Sequence, residues 1–227
     1  MGKVTILPET TKYPITLIGS RAGYCWGADV SDDNKNYRRG LDCIESNHGR
    51  TLEYPNIEMV LDGYSARVIR EWYTHIGGAP SRLQASTRYI NYKEFQYVTP
   101  PSIKRVPDAS KVFENTMKMI ADACTALEEI GIPREDAAMM LPLGMTTKIV
   151  DKRNPRNLID MSRQRMCSRA YWEFRELFGD ILQALREYSP EWDYIVSTQM
   201  MPKCEYLGYC PEKHSCGRKP KRKEAGN

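Results

Sequence analysis

Residues 154–188, NPRNLIDMSRQRMCSRAYWEFRELFGDILQALREY, form the longest helical pattern in this chain of 227 residues. Apolar side chains recur there at helical spacing. The stripe consists of Leu158, Met161, Trp172, Leu177, Ile181, Leu182 and Leu185. We therefore predict one long helix that begins after Asn154-Pro155 and continues to about Tyr188.

Shorter patterns precede this helix. Residues 57–61 alternate apolar and polar side chains, which predicts a half-buried strand that Asp62-Gly63 breaks. A helix is expected from Ser65, whose hydroxyl suits the N-cap position, and it should stop by residues 77–80, a Gly-Gly-Ala-Pro turn.

The middle of the chain adds a strand region and further helices. Residues 81–100 are rich in aromatic and β-branched side chains and predict strand and loop. Residues 110–130 have apolar side chains three and four apart, which predicts an amphipathic helix ended by Gly131. Pro133 then starts another helix. The predicted fold class is α+β.

Composition limits the class of protein. The net charge of +4 is too small to indicate nucleic-acid binding, and much of it lies in the final residues. These cations are Arg218, Lys219, Lys221, Arg222 and Lys223. No apolar run reaches the roughly 18 residues of a membrane span. Seven cysteines, four of them scattered singly, favour reduced thiols, so we expect a soluble, cytoplasmic chain without membrane or nucleic-acid partners.

The chain shows no internal repeat and no long Gly/Ser linker. We therefore expect one domain over residues 1–200 and a basic, Cys/His-containing extension over residues 201–227. Motifs of dinucleotide-binding folds, P-loops, serine hydrolases and zinc proteases are absent from the sequence.

Two segments combine arginines with amides or hydroxyls. In the first, Arg82, Gln84 and the run Ser86-Thr87-Arg88 could close around a phosphate, with Gln84 facing an edge such as that of uracil. By itself, this run is equally typical of a turn with an exposed arginine. The second segment runs from Arg153 into the long helix, where Arg156/Asp160 and Arg165/Arg169 are each four residues apart. It suits an anion at a helix start, or else a solvated, salt-bridged face.

Taken in order, RLQASTRY (82–89), PREDA from Pro133, NPRNL from Asn154 and SRAYWE (168–173) resemble the flavin-dependent thymidylate synthases over residues 45–190. The resemblance implies a homotetramer in which helices flank a central, mostly antiparallel sheet and FAD lies at subunit interfaces. It implies methylation of deoxyuridine monophosphate, with methylene-tetrahydrofolate as the carbon donor and NADPH as the reductant. No cysteine nucleophile is implied.

The resemblance also assigns roles to individual residues. Arg165 is the implied catalytic residue, since it would polarise the uracil carbonyl and bind substrate. The other implied substrate-binding residues are Glu71, Arg82, Gln84, Ala85, Ser86, Thr87 and Arg88. The implied FAD-binding residues are Arg50, Thr51, Glu53, His75, Ile76, Asn154, Arg156, Asp160 and Arg169.

This chain departs from the family pattern at the Arg-His-Arg motif, because it has Thr74, His75 and Ile76 there. Ala138 also occupies a position that is commonly arginine and reaches the phosphate. Arg82 lies in a turn two residues longer than usual in the family. Its guanidinium could replace one of the two missing motif arginines in the nucleotide pocket. A related flavin-dependent one-carbon transfer to another pyrimidine nucleotide is therefore an alternative.

The extension offers a different hypothesis. Cys204, Cys210, His214 and Cys216 are enough for a tetrahedral zinc site, although their spacing lacks the usual C-x-x-C. Packed free cysteines are the simpler interpretation, and our prediction is no metal. The alternative hypothesis is a non-catalytic protein in which these four residues bind zinc and the basic tail binds nucleic acid.

Overall fold

The structure is a computed structural model that describes residues 2–222. Four strands form one antiparallel sheet in the order β1-β2-β4-β3. The strands are β1 (Lys3–Ile6), β2 (Ile57–Ser65), β3 (Ser81–Gln84) and β4 (Thr146–Arg153). The predicted α+β class and the antiparallel sheet are confirmed.

Helices make up most of the remaining described chain. They are α1 (Pro14–Cys25), α2 (Asp33–Glu45), α3 (Ala66–Trp72), α4 (Pro101–Lys104), α5 (Pro107–Glu129), α6 (Arg134–Ala137), α7 (Pro155–Arg165), α8 (Trp172–Tyr188), α9 (Pro190–Gln199) and α10 (Lys203–Leu207). Short 3-10 helices occupy Gly49–Glu53 and Ala138–Met140. None of the helices within residues 2–222 has the length and apolar character needed to cross a membrane.

Strand β2 begins where the sequence predicts and ends later. Its first five side chains alternate between buried and half-buried, which confirms the predicted strand. The predicted break at Asp62-Gly63 is wrong, because the strand continues to Ser65. Gly63 adopts a φ of +77°, which a residue without Cβ tolerates within a strand. Ser65 then caps α3 as predicted, since its hydroxyl accepts a 3.2 Å hydrogen bond from the Val68 N–H.

The described chain forms two compact units. We call residues 2–3, 61–74 and 83–150 the α5 unit, and residues 4–60, 75–82 and 151–222 the α7 unit. A cluster of Tyr92, Phe95, Met117 and Met145 forms a core of the α5 unit.

Helix α5 confirms the predicted helix over 110–130 and the predicted stop at Gly131, whose φ is +92°. The apolar stripe is only partly buried. Met117 and Cys124 lie inside, whereas Val112 and Ile130 are 67% and 77% exposed.

The α7 unit contains a closely packed helix pair, α1 and α2. A Cβ added to Gly19 would lie 1.7 Å from the Asn36 carbonyl oxygen, and one added to Gly40 would lie 2.0 Å from that of Ile15. Both positions therefore require glycine. The first turn of α1 is capped from α9, because the Glu191 carboxylate accepts hydrogen bonds of 2.6 and 3.0 Å from the N–H groups of Ile15 and Thr16.

The predicted single helix over 155–188 is wrong, because α7 ends at Arg165 and α8 begins at Trp172. The Met166 carbonyl at the end of α7 accepts a 3.3 Å hydrogen bond from Arg218 Nη1, so a residue of the extension occupies an acceptor at the helix end. Arg169 therefore lies outside a helix, and its predicted stacking with Arg165 on one helical face is also wrong.

The extension folds back on itself up to Arg222. The Cys210 N–H donates a 2.7 Å hydrogen bond to the Pro220 carbonyl, and Lys219 Nζ lies 2.8 Å from a Glu205 carboxylate oxygen. The described part of the basic tail is thus held by contacts. Lys223 lies outside the described residues.

Candidate active site

The first turn of α7 forms one wall of a cavity in the α7 unit. Asn154 caps this helix, because its Oδ1 accepts a 2.9 Å hydrogen bond from the Asn157 N–H. The cavity has a volume of about 320 Å³ and is lined by Glu53, Gly77, Gly78, Asn154, Arg156, Asn157 and Asp160. Backbone N–H groups and the helix dipole at such a helix start favour an anionic ligand. We call this cavity the α7-start cavity.

Two glycines make close approach to the helix start possible. A Cβ added to Gly78 would lie 2.3 Å from Asn154 Nδ2, and one added to Gly77 would lie 3.1 Å from Asn157 Nδ2. Gly78 also has a φ of +73°, which side chains of L-residues rarely adopt. A larger residue at position 78 would therefore both strain the backbone and fill the cavity.

Charged side chains from two segments meet at the α7-start cavity. Arg156 forms an ion pair with Glu53, which lies 103 residues earlier in the chain. Asp160, one turn further along α7, lies 3.6 Å from Arg163 Nη1. The cavity thus brings together four residues that the resemblance assigns to FAD, namely Glu53, Asn154, Arg156 and Asp160.

A buried ion pair contacts the first turn of α7, which forms one wall of the α7-start cavity. The Arg153 and Asp151 side chains are fully buried, with 2.7 Å between Nη2 and Oδ2. Arg153 Nη1 also donates a 2.5 Å hydrogen bond to Asn157 Oδ1. Asn157 is therefore held at its side chain by Arg153 and at its backbone by Asn154.

Arg165, at the end of α7, is held by two aromatic rings. Its Nε donates a 2.9 Å hydrogen bond to His75 Nε2, and its guanidinium carbon lies 4.5 Å from the centre of the Phe174 ring. Burial, followed by the charges of Arg165 and Arg153, lowers the pKa of His75 to about 4. His75 is therefore neutral at pH 7, with its proton on Nδ1, and acts as an acceptor that orients Arg165.

The predicted phosphate segment lies in the α5 unit as an exposed turn after β3. The Ser86 hydroxyl accepts a 3.2 Å hydrogen bond from the Arg88 N–H, and Arg88 Nε lies 2.9 Å from a Glu135 carboxylate oxygen. Gln84 Nε2 donates to the Thr147 hydroxyl at 3.4 Å. The turn that we predicted is present, and its arginine makes a surface ion pair.

Other predicted substrate-binding residues lie on neighbouring elements of the chain. Ala85 donates its N–H to the Lys148 carbonyl at 2.8 Å, which fixes the start of the turn beside β4. Glu71 lies on α3 in the α5 unit, whereas Arg82 lies in β3 within the α7 unit. Thr87 belongs to the same turn as Ser86.

The remaining predicted FAD-binding residues differ in environment. Thr51 is buried and its hydroxyl donates to the His48 carbonyl at 2.7 Å, whereas Arg50 is exposed. Ile76 is 69% exposed. Arg169 Nη1 lies 2.8 Å from a carboxylate oxygen of Glu212. None of these residues lines the α7-start cavity.

The four candidate zinc ligands also lie in the α7 unit. Cys204, Cys210, His214 and Cys216 line one cavity. Within residues 2–222, however, no three His, Cys, Asp or Glu side chains are grouped so that they could hold a metal ion. The described structure therefore offers no support for the zinc hypothesis.

Sequence reasoning missed three residues of the α7-start cavity, namely Asn157, Gly77 and Gly78. The glycine pair was interpreted only as a turn that ends a helix. Two adjacent glycines two residues after a predicted binding histidine were a signal that the backbone approaches a ligand or another segment closely. Asn157 gave no comparable signal, because an asparagine in a first helical turn is ordinary.

Comparison with known proteins agrees with this geometry. The family profile described as "Thymidylate synthase complementing protein" matches residues 7–191. A flavin-dependent thymidylate synthase from Nitratidesulfovibrio vulgaris is 34% identical, and the match covers 97% of this chain and 96% of that protein. Proteins with the same name from Geobacter sulfurreducens and Clostridium tetani are 33% and 28% identical, covering 76% and 96% of this chain and 72% and 94% of their own lengths.

The matched region contains the whole lining of the α7-start cavity, the His75–Arg165 contact and the Ser86–Arg88 turn. It also includes the positions at which the sequence departs from the usual motif, Thr74, Ile76 and Ala138. The resemblance predicted from the sequence is confirmed: the chain belongs to the thymidylate synthase complementing protein family.

Proposed function

We propose that this chain is a flavin-dependent thymidylate synthase. It methylates deoxyuridine monophosphate, with methylene-tetrahydrofolate as the carbon donor and NADPH as the reductant. The observation that carries this proposal is the α7-start cavity, where four residues that the resemblance assigns to FAD meet at a helix start. The names of the similar proteins support the same activity.

The residues of the α7-start cavity fit part of a flavin cofactor. Gly77 and Gly78 leave space that a Cβ would fill, and the positive end of the α7 dipole lies at the same wall. Arg156 supplies a guanidinium for a phosphate, and the Glu53 and Asp160 carboxylates can accept hydrogen bonds from hydroxyl or amino groups. When bound, FAD supplies the hydride for the reduction.

Arg165 is the proposed catalytic residue. Neutral His75 accepts a hydrogen bond from Arg165 Nε and so fixes the orientation of the guanidinium that, in this proposal, contacts a substrate carbonyl. A guanidinium fixed in this way stabilises negative charge on the uracil oxygen as it develops, with little reorganisation. His75 acts on the substrate through Arg165, which makes it a positioning residue in this scheme.

The Ser86–Arg88 turn is the proposed site for the nucleotide phosphate. The Ser86 hydroxyl, the loop amides and the Arg88 guanidinium are the donors that a phosphate requires. Because Arg88 pairs with Glu135 in the structure, phosphate binding exchanges that surface ion pair for a charge-assisted contact. Gln84 faces the pyrimidine in this proposal.

We further propose a homotetramer with FAD sites at subunit interfaces. Large apolar side chains on the surface of the α5 unit support an assembly, because a monomer rarely leaves many of them in water. They include Leu83, Val112, Met119, Ile130 and Met139, each more than half exposed. Residues 1–200 remain our proposed catalytic domain, and residues 201–227 our proposed extension.

The first experiment is an absorbance spectrum of the purified protein after incubation with excess FAD and desalting. The proposal predicts retained flavin, bleaching by NADPH, and a change in bleaching rate when deoxyuridine monophosphate is added. Arg156→Ala should lower flavin retention, while Lys35→Ala, which alters a surface pair with Asp32, should not. No retained flavin at any FAD concentration would refute the proposal.

Product analysis separates this activity from its nearest alternative. Thymidylate formed from deoxyuridine monophosphate and methylene-tetrahydrofolate supports the proposed reaction. Retained flavin with a different one-carbon product, or with another pyrimidine nucleotide as substrate, would favour the related transfer that Thr74, Ile76 and Ala138 leave open.

A further inference from the structure

A second cavity of the α7 unit is lined on one side by the C-terminal extension and has a volume of about 410 Å³. Its other wall is the end of α7 and the segment that joins α7 to α8. Two hydrogen bonds hold the extension there. Arg169 Nη1 donates to Glu212 at 2.8 Å, and Arg218 Nη1 donates to the Met166 carbonyl at 3.3 Å. We call this cavity the extension cavity.

Arg163 adds an aromatic contact to the same wall. Its guanidinium carbon lies 4.1 Å from the centre of the Tyr206 ring of α10. The contacts of Arg163, Arg169 and Arg218 thus connect three parts of the extension to α7 or to the segment after it. The extension cavity is therefore part of a folded structure and not a gap beside a loose tail.

The lining of the extension cavity is strongly basic. It contains one acidic side chain, Glu212, and six basic ones, namely Arg163, Arg165, Arg169, Lys203, Arg218 and Lys219. Asp160, Glu212 and Glu205 lie within ion-pair distance of Arg163, Arg169 and Lys219. Lys203 and Arg218 have no carboxylate at that distance among residues 2–222, so the cavity keeps positive charge.

A reactive thiol lies in the same cavity. Cys216 lines the cavity and is exposed. A hydrogen bond with the Ser168 side chain lowers the pKa of this thiol, and backbone and charge interactions with Arg218 lower it further. These contacts favour the thiolate, which is the form of cysteine that reacts with alkylating reagents.

We propose that the extension cavity binds the multiply charged arm of a co-substrate, through phosphate or carboxylate groups. Guanidinium groups pair with both kinds of anion in two-point contacts, and several line this cavity. Its volume lies in the range of small-molecule sites, about 300–1,000 Å³, and exceeds what a single inorganic ion needs.

The identity of the co-substrate that carries this arm rests on the proposed function, in which two co-substrates are anionic. NADPH carries phosphates, and the folate carries glutamate carboxylates. Arg165 lines the extension cavity and also contacts His75, so an arm bound here lies beside the proposed catalytic arginine. The shared chemistry is a chain of two or more negative charges.

Cys216 allows binding to be measured without turnover. The full-length, FAD-treated protein is alkylated with N-ethylmaleimide, and modification of Cys216 is followed by peptide mass spectrometry. Cys25, which is exposed and does not line the cavity, is the internal control for general reactivity. Pyrophosphate at millimolar concentration should slow Cys216 alkylation about fivefold or more and leave Cys25 unaffected.

Two variants test which residues cause the protection. Lys203→Ala should raise the pyrophosphate concentration needed for half protection by about fivefold to tenfold. The Lys203 side chain makes no hydrogen bond or ion pair with another of residues 2–222, so this change leaves the contacts that hold the extension in place. Arg218→Ala should have a similar or larger effect. Lys35→Ala, outside the cavity, should have none.

Three further ligands identify the source. Protection by 2′,5′-ADP alone assigns the cavity to the pyridine nucleotide, and protection by tetraglutamate alone assigns it to the folate. Either result supports the proposal. Equal protection by deoxyuridine monophosphate would overturn it, because the cavity would then belong to the pyrimidine site.

The proposal also fails if no anion slows Cys216 alkylation, or if protection is the same in Lys203→Ala and Arg218→Ala as in the wild type. Thymidylate formation is measured separately. A protein that makes thymidylate without anion protection refutes only the extension cavity, whereas protection without thymidylate formation refutes only the proposed activity.

Discussion

The α7-start cavity and the Ser86–Arg88 turn contrast in how their side chains are held. In the cavity, Asn157 accepts one hydrogen bond at its side chain and donates one from its backbone, and the Arg153 behind it is fully buried. In the turn, the arginine side chain is 64% exposed and pairs with a surface carboxylate, Glu135.

The contrast indicates two ways of preparing an anion site. One wall of the α7-start cavity is organised by folding itself, because Asn157 and the Asp151–Arg153 pair behind it are buried structural groups. The Ser86–Arg88 turn keeps its donors at the surface, where water and Glu135 compete for them. Mutations of the buried groups in the first region should therefore affect stability together with binding, and mutations in the second should affect binding alone.

The largest expected effect is on stability and comes from Asp151→Ala. This change removes the Asp151 carboxylate from the buried Arg153 guanidinium, which should lower the free energy of unfolding by about 3–5 kcal/mol. Urea denaturation measures the loss. Asp62→Ala is the matched control, because it removes an exposed partner of Lys148 and should cost about 0–1 kcal/mol. Similar losses in the two variants would mean that burial of the Arg153 pair does not matter.

Gly78→Ala should have the next largest effect. The left-handed backbone costs about 1–2 kcal/mol with a Cβ present, and the new atom would also lie 2.3 Å from Asn154 Nδ2. Gly27→Ala is the control, because Gly27 has a φ of +62° with nothing within 4 Å of its added Cβ.

Both glycine variants should therefore lose similar stability from backbone strain, while only Gly78→Ala should also weaken FAD binding, by about tenfold. Titration of the protein with FAD, followed by absorbance, measures the difference. Unchanged FAD affinity in Gly78→Ala would remove residues 77–78 from the proposed flavin site.

A smaller effect on stability, confined to mildly acidic pH, is expected from His75. The folded protein keeps His75 neutral down to a pKa of about 4, whereas an unfolded histidine binds a proton near its ordinary pKa of 6.5. The unfolded state thus binds more protons between these values, so stability is lost as pH falls from about 6.5 to 4. His75→Gln removes this contribution, and urea midpoints across that range should fall less steeply than in the wild type. Parallel curves would contradict the assignment.

The smallest expected effect on stability is at Arg88. Arg88→Ala and Glu135→Ala each break the same exposed ion pair, so each should change the free energy of unfolding by no more than about 1 kcal/mol. Their effects on nucleotide binding should differ. Arg88→Ala should weaken deoxyuridine monophosphate binding by about tenfold or more, because it removes a charge-assisted contact.

Glu135→Ala should leave nucleotide affinity unchanged or raise it, since it removes a competitor for Arg88. Calorimetric titration compares the two variants. Equal weakening in both would show that the ion pair itself shapes the site, and unchanged affinity in Arg88→Ala would make the phosphate assignment wrong.

Structural features that depend only on residues close together in the sequence were predicted well. The alternation over residues 57–61 and the Ser65 cap depend on neighbours within a few positions, and both are present in the structure. The grouping of Asn154, Arg156 and Asp160 at one helix start follows from the same local geometry. Glu53 was assigned only through the family resemblance, because its pairing with Arg156 spans 103 residues.

The failures have long-range causes. Strand β4 was missed because the buried positions of its alternation include Asp151 and Arg153, charged residues that hide the apolar pattern. The break after Arg165 depends in part on Arg218, which lies 52 residues beyond the carbonyl it contacts. Such contacts leave no periodic signal near the residues they affect.

The cap that Glu191 places on α1 has a consequence for synthesis. The amides of Ile15 and Thr16 are joined to a carboxylate about 176 residues later in the chain. At about 5–20 residues per second, a ribosome needs roughly 10–35 s to bridge that distance. During that interval the Glu191 carboxylate has not yet been made. The N–H groups in the first turn of the nascent α1 must therefore bind water or another acceptor. The N-terminal helix is thus among the first parts to be made and among the last to be completed.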